Sequence, residues 1–108
     1  MVAAASVALS SDGLSLKISG ILDVDTVPQL ANKADQFISD VVHPIFDLEG
    51  VVKAESSALA LLTAWRRQAH VLGKTAHFVH VPKYLMDIAK LSNVENILGL
   101  SEESRETL

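Results

Sequence analysis

The chain contains no cysteine, which excludes disulfides and thiolate metal ligands. No apolar run approaches the ~20 residues of a membrane-spanning helix. The opening Met1-Val2-Ala3-Ala4-Ala5 has neither the basic start nor the long apolar run of a signal peptide. A cytoplasmic location without membrane insertion is therefore expected. Basic residues are also in deficit: nine Lys and Arg against 13 Asp and Glu leave a net charge of −4. A nucleic-acid partner needs a basic surface, so the expected partner is a protein. No Gly-x-x-x-x-Gly-Lys-Ser/Thr phosphate loop is present. No nucleophile, base and orienting group can be assembled from neighbouring motifs. No cofactor is expected, and an enzyme is the least favoured class.

Nearly half of the 108 residues are hydrophobic, enough for the core of one domain and too few residues for two. Val7–Leu9 and Leu14–Ile18 read as strands joined by Ser10-Ser11-Asp12-Gly13, an Asp-Gly hairpin signal. Gly20-Ile21-Leu22-Asp23 reads as a bend. Val27, Leu30, Ala34, Phe37, Ile38 and Val41 fall on one helical stripe. Thr26 with Gln29 fits a capping box, and Pro28 suits the first turn. After Pro44, Ile45–Leu48 is a short buried-type strand. A second helical stripe carries Ala58, Leu61, Leu62, Trp65, Ala69 and Leu72, with Gly73 as its C-terminal cap. Ala76–Val81 is a strand, Pro82 begins a helix running through Leu91, and Asn93 suits a left-handed cap. Val94, Ile97 and Leu98 are expected to pack a last short element. The organisation is one domain over residues 1–100 and a polar, frayed tail over 101–108. The order ββαβαβα predicts a single α/β domain with a mixed sheet of about four strands and flanking helices. The opening pair is antiparallel and the later strands are parallel.

The junction Phe46-Asp47-Leu48-Glu49-Gly50-Val51-Val52-Lys53-Ala54-Glu55-Ser56-Ser57-Ala58-Leu59 is the most informative stretch. A strand runs into a loop, and two serines precede a long amphipathic helix. Ser56 can cap that helix. It can equally be a phosphorylation or docking point, since a helix N-terminus favours negative charge. Ser57 can take the cap in its place, leaving Ser56 free. Glu55 reads as a solvated loop acid or as a first-turn partner contact. Trp65 lies on the apolar stripe and reads as core. Arg66 and Arg67 read as a solvated face or as the rim of a partner surface. Asp23 and Asp25 suit a turn and a helix start. His43 and His70 lie in distant segments. His77 and His80, three apart on a strand, face opposite sides. No metal site is expected.

The ordered set Gly20-x-Leu22-Asp23, Asp47-Leu48 with Val51, the serines before the helix, Gly73-Lys74, and Leu91 with Val94 and Ile97-Leu98 resembles the STAS domain family. The likeness covers roughly Leu14 to Leu98. It implies a protein-binding regulatory module in which Ser56 aligns with the phosphorylatable serine of anti-sigma factor antagonists. Glu55 stands where antagonists have Asp, and Ala58 where they usually have Gly. The run Ser57–Leu62, with the spacing through Ala89-Lys90-Leu91, looks closer to the STAS subunit of Mla-type phospholipid ABC transporters. That resemblance implies a non-enzymatic subunit bound to the cytoplasmic ATPase, at the inner membrane only through its partner. Its contacts would come from Glu55, Ser56, Ser57, Leu59 and Arg66. The other reading is an anti-sigma factor antagonist, switched by serine phosphorylation and bound by an anti-sigma factor kinase.

Overall fold

The computed structural model describes residues 4–100; the tail expected over 101–108 lies outside them. Four strands, β1 (Ser6–Leu9), β2 (Ser15–Leu22), β3 (Ile45–Ala54) and β4 (His77–Val79), form one sheet in the order β1-β2-β3-β4. The β1–β2 pair is antiparallel, and β2–β3 and β3–β4 are parallel. This is the expected mixed sheet. Four helices accompany it: α1 (Val27–Leu30), α2 (Asp35–Asp40), α3 (Ser57–Val71) and α4 (Lys83–Leu91).

The hairpin forms where Asp12-Gly13 required it. Gly13 has a φ of 73°, and the Asp12 carboxylate accepts the Ser10 hydroxyl at 2.6 Å and the Leu14 N–H at 3.0 Å. These bonds, the Ser10 one first, hold the Asp12 carboxyl below its ordinary value. Both helix ends read from sequence also form. Gly73 and Asn93 are left-handed. In each case the next residue's N–H reaches back: Lys74 to the Ala69 carbonyl at 2.9 Å and Val94 to that of Ala89 at 3.0 Å. This is the Schellman arrangement.

Along the strands the side chains alternate. Leu16, Ile18, Phe46, Leu48 and Phe78 are buried, while Lys17, Glu49 and His77 are exposed. One sheet face is therefore core and the other meets water. The core is entirely apolar among the described residues. At its centre the Phe46 ring stacks on Trp65 with centroids 4.6 Å apart, and Phe37 and Phe78 each approach Phe46 to 5.5 Å. Trp65 is fully buried, as its stripe position required.

Several expectations are corrected. The single helix expected over Val27–Val41 is two short helices separated by turns. The apolar stripe survives, because Leu30, Ala34, Phe37 and Ile38 are all buried. What breaks the ladder is a competitor. The Ala31 carbonyl accepts Trp65 Nε1 at 3.2 Å and Gln68 Nε2 at 3.3 Å, and Asp35 N bonds instead to Asn32 O. The Thr26–Gln29 capping box does not form either. The Thr26 hydroxyl donates to Ile21 O at 2.7 Å, and Asp23 Oδ1 accepts the Asp25 and Thr26 N–H groups. Asp23 thus starts the turn, as its residue type suggested.

Both central strands are longer than their sequence pattern. Instead of bending at Gly20, β2 continues to Leu22; Gly20 has a φ of 96°, and a side chain there would strike the Ala4 carbonyl. Instead of ending at Leu48, β3 continues to Ala54, because register shifts opposite Lys17/Ser19 and Gly20/Ile21 insert extra residues. Such bulges erase strict alternation. Gly50 fits one of them, since a Cβ there would lie 2.5 Å from Ser19 Oγ. At the other edge β4 stops at Val79, and His80 turns the chain with a φ of 55°. Near the end of the described chain Leu98 is buried but Ile97 is exposed.

Replacing Trp65 with Ala removes the stacking partner of Phe46 and the donor to Ala31, and leaves a large cavity. Urea unfolding of Trp65→Ala should show a loss of about 3–5 kcal/mol. A loss below about 1 kcal/mol with the fold intact would contradict this account of the core.

Candidate functional site

The C-terminal ends of β2 and β3 set the position of the serine junction. Leu22 pairs with Ala54, and Glu55 N–H donates to Leu22 O at 2.8 Å. The helix starts at once: Ala58 N reaches Glu55 O at 2.9 Å and Leu59 N reaches Ser56 O at 3.0 Å. Ser56 occupies the N-cap position with helical angles, φ −58° and ψ −26°, and its hydroxyl makes no cap bond. An extended cap conformation is what aims a serine side chain back at the helix N–H groups; Ser56 lacks it. Its hydroxyl is exposed and uncommitted. Ser57 does not take over, because its Oγ is buried with no hydrogen-bond partner. Ala58, where the family pattern usually has Gly, is fully buried.

The expected contact residues divide. Glu55 and Ser56 are exposed together at the junction, and Ser57 is partly buried beside them. Leu59 is half-buried and packed against the core. Arg66 belongs elsewhere. It lies ten residues beyond Ser56, about 15 Å along the helix, and its guanidinium donates to Ala76 O at 2.7 Å and Leu98 O at 3.1 Å.

Beside the junction lies a groove of about 420 Å³ between the end of β3 and the start of α4. Val51, Val52, Lys53, Ala54 and Glu55 line one wall, and Pro82 and Tyr84 the other. Val52 is 74% exposed and Tyr84 60%. Sequence reading missed both. Tyr84 carried a signal, since it sits off the buried stripe of Leu85, Met86 and Ala89. Val52 carried little, because a bulge decides which way it points. The Thr26 N–H, more than any other group, holds the Asp23 carboxyl below its ordinary 3.8. The Asp25 N–H, the Thr26 hydroxyl and the Lys53 charge act in the same direction against desolvation.

On the open sheet face, Asp47, Glu49 and His80 bring ligand-type atoms within 4.8 Å of one another. The expectation that His80 points away as a strand residue does not hold, because His80 lies beyond β4 in a left-handed turn. Its Nδ1 donates to Asp47 Oδ1 at 2.8 Å, and the same oxygen accepts Glu49 N–H at 3.0 Å. Asp47 is thereby engaged by His80 and by the Glu49 backbone as a clamp between β3 and the turn into α4, while the Glu49 carboxylate is exposed.

A four-strand mixed sheet, with a serine at the head of the helix after β3, can be compared with known proteins. The family model described as "Mlab, STAS domain" matches residues 5–100. No curated protein matches the chain significantly. The anti-sigma factor antagonist SpoIIAA in its unphosphorylated form is 15% identical, with a TM-score of 0.58 over 92% of this chain and 100% of that one. The Bacillus cell fate determinant SpoIIAA in its phosphorylated form is 17% identical, with a TM-score of 0.61 over 86% of each chain. At such identity the likeness carries the fold, and the family model carries the membership. The chain belongs to the STAS domain family.

Proposed function

We propose that this protein is a non-enzymatic regulatory and assembly subunit that binds the cytoplasmic ATPase of a phospholipid-transport ABC system. STAS domains mediate protein–protein interactions, and those of this type are regulatory. The observation that carries the reading is the face made by Glu55, the free Ser56 hydroxyl and the adjoining groove. An exposed apolar groove rimmed by polar residues fits a partner side chain. The groove holds an exposed Tyr, a residue type enriched in binding hot spots. The run Ser57–Leu62 at the head of α3, which resembles the STAS subunit of Mla-type transporters, is what this reading adds to family membership. The absence of a membrane-length helix among the described residues is compatible with a cytoplasmic subunit held at the membrane by its partner.

The second reading is an anti-sigma factor antagonist bound by an anti-sigma factor kinase and switched at Ser56. The likeness to SpoIIAA in two phosphorylation forms favours it. An exposed hydroxyl without a bond is open to a kinase. A phosphate would add a charge of about −1.5 to −2 beside Glu55. In either reading Ser56 acts through contact with the partner, and the fold does not depend on its hydroxyl.

Two measurements test this. First, Ser56→Ala should change stability by less than about 0.5 kcal/mol in urea unfolding, because no cap bond is lost. A loss near 1–2 kcal/mol would make Ser56 a structural cap. Second, pull-downs with the ATPase subunit of a phospholipid-transport ABC system should compare wild type, Ser56→Asp and Tyr84→Ala at equal folded concentrations. Recovery should fall at least about tenfold for Ser56→Asp, since an unpaired charge in a desolvated contact is costly, and similarly for Tyr84→Ala. Equal recovery of all three would remove this face from the interface. Capture of an anti-sigma factor kinase, with phosphate transfer to Ser56, would decide for the second reading.

A further inference from the structure

The far end of α3 carries a second surface of different chemistry. A groove of about 300 Å³ lies between the last turns of α3, the Lys74-Thr75 segment and the chain near Leu98, lined in part by Arg66, Arg67, His70, Lys74 and Ile97. In a chain of net charge −4, three of the nine Lys and Arg residues meet here. Among the described residues no Asp or Glu lines the groove.

Two of these cations are fixed without being neutralised. Arg66 donates to the Ala76 and Leu98 carbonyls. Lys74 Nζ donates to Ile38 O at 2.6 Å and Ser39 O at 2.9 Å. Carbonyl acceptors hold an ammonium or guanidinium in place while its full charge remains. The entropy of positioning those side chains is already spent on folding. His70 sits in the last turn of α3, where a basic group complements the helix dipole. Arg67 has no such structural assignment: it is exposed, and no carboxylate, carbonyl or ring among the described residues engages it. The result is a concave site of fixed positive charge with Arg67, unengaged among the described residues, at its rim. Ile97, 68% exposed, forms an apolar wall.

We propose that this groove docks an acidic protein segment, an Asp/Glu-rich stretch carrying an apolar side chain that rests on Ile97. Charge complementarity selects the acid, and the shape selects a chain segment over a flat surface. Nucleic acid fits less well: no Phe, Tyr or Trp among the described lining residues offers a broad ring for base stacking. A membrane surface fits less well too, because Ile97 is the one strongly exposed large hydrophobic residue among the lining residues. Arg67 and His70 lie eleven and fourteen residues beyond Ser56, about 16–21 Å along the helix. The surface is therefore separate from the face around Ser56, and the proposal stands whichever partner that face binds.

The test uses the full chain and a fluorescein-labelled decapeptide of glutamates with one central leucine, followed by fluorescence anisotropy. Saturable binding is expected at about 20 mM salt, weakening about tenfold or more at about 300 mM. Arg67→Glu should weaken it about tenfold and Arg67→Gln by less. Arg67 is exposed, so both variants should keep the wild-type circular dichroism and melting curve. Ser56→Asp should bind the peptide like wild type. Absence of saturable binding at low salt would overturn the proposal, as would Arg67→Glu binding like wild type. A ten-nucleotide single strand binding as tightly as the peptide would make the surface a general polyanion site and overturn it. A salt-sensitive dimer in sedimentation that Arg67→Glu dissolves would assign the groove to a second copy instead.

Discussion

The stack of Phe46 on Trp65 joins the two longest elements of the molecule, β3 and α3, and most other features depend on it. Aromatic side chains make up only 5% of the chain, yet all three phenylalanines and the tryptophan gather at this one point. Phe37 brings α2 to the stack and Phe78 brings β4. An aromatic pair in offset or edge contact adds about 0.5–1.5 kcal/mol beyond the area it buries. The larger effect is positional. Trp65 has a polar edge that must find an acceptor when buried, and it takes the Ala31 carbonyl. That bond is bought by interrupting α1 and α2, so the core's largest side chain also shapes the segment between β2 and β3.

With α3 locked to β3 at its middle, its two ends become fixed positions on the surface. At the first end, the extended pairing of β2 with β3 carries the chain past the sheet's regular alternation and delivers Glu55 to the Leu22 carbonyl. The bulges that lengthen β3 also expose Val52 and leave the apolar groove open beside α4. The clamp of His80 and Glu49 N–H on Asp47 holds the turn that presents Pro82 and Tyr84. Backbone geometry therefore makes the site, and the Ser56 side chain contributes nothing to holding it together. A hydroxyl that carries no structural bond can be charged or removed without unfolding what surrounds it, as a switch requires.

Most local signals were legible in the sequence, the Thr26–Gln29 capping box being the exception, and non-local ones were not. The Asp12-Gly13 hairpin and the left-handed ends at Gly73 and Asn93 follow from backbone preferences of those residues alone, and all three form. The apolar stripe from Leu30 to Ile38 correctly marked a buried face. It could not show that the face bends, because the group that takes the Ala31 carbonyl lies 34 residues away. The length of β3 was hidden for a different reason. Period-two reasoning fails where extra residues enter a strand, so Gly50 to Lys53 read as a loop. The serine junction was located by its motif, but whether Ser56 caps the helix depended on a backbone angle that residue type does not dictate. Arg66 looked like a surface partner for the same reason: its two acceptors come from segments that only folding brings near.

The separation of the two ends of α3 constrains how they can communicate. At physiological ionic strength the Debye length is about 8 Å, and Ser56 and His70 are about 21 Å apart along the helix. A charge added at Ser56 is therefore largely screened before it reaches the basic groove, so direct electrostatic coupling between the surfaces is weak. Any coupling must be mechanical, through α3 itself or through the segment that Arg66 ties to the helix. A fifteen-residue helix locked at Trp65 and closed by a Schellman turn would have to shift as a unit, because coupling needs an element with two arrangements. With both proposed surfaces occupied, α3 would hold the two partners about 21 Å apart along one helix.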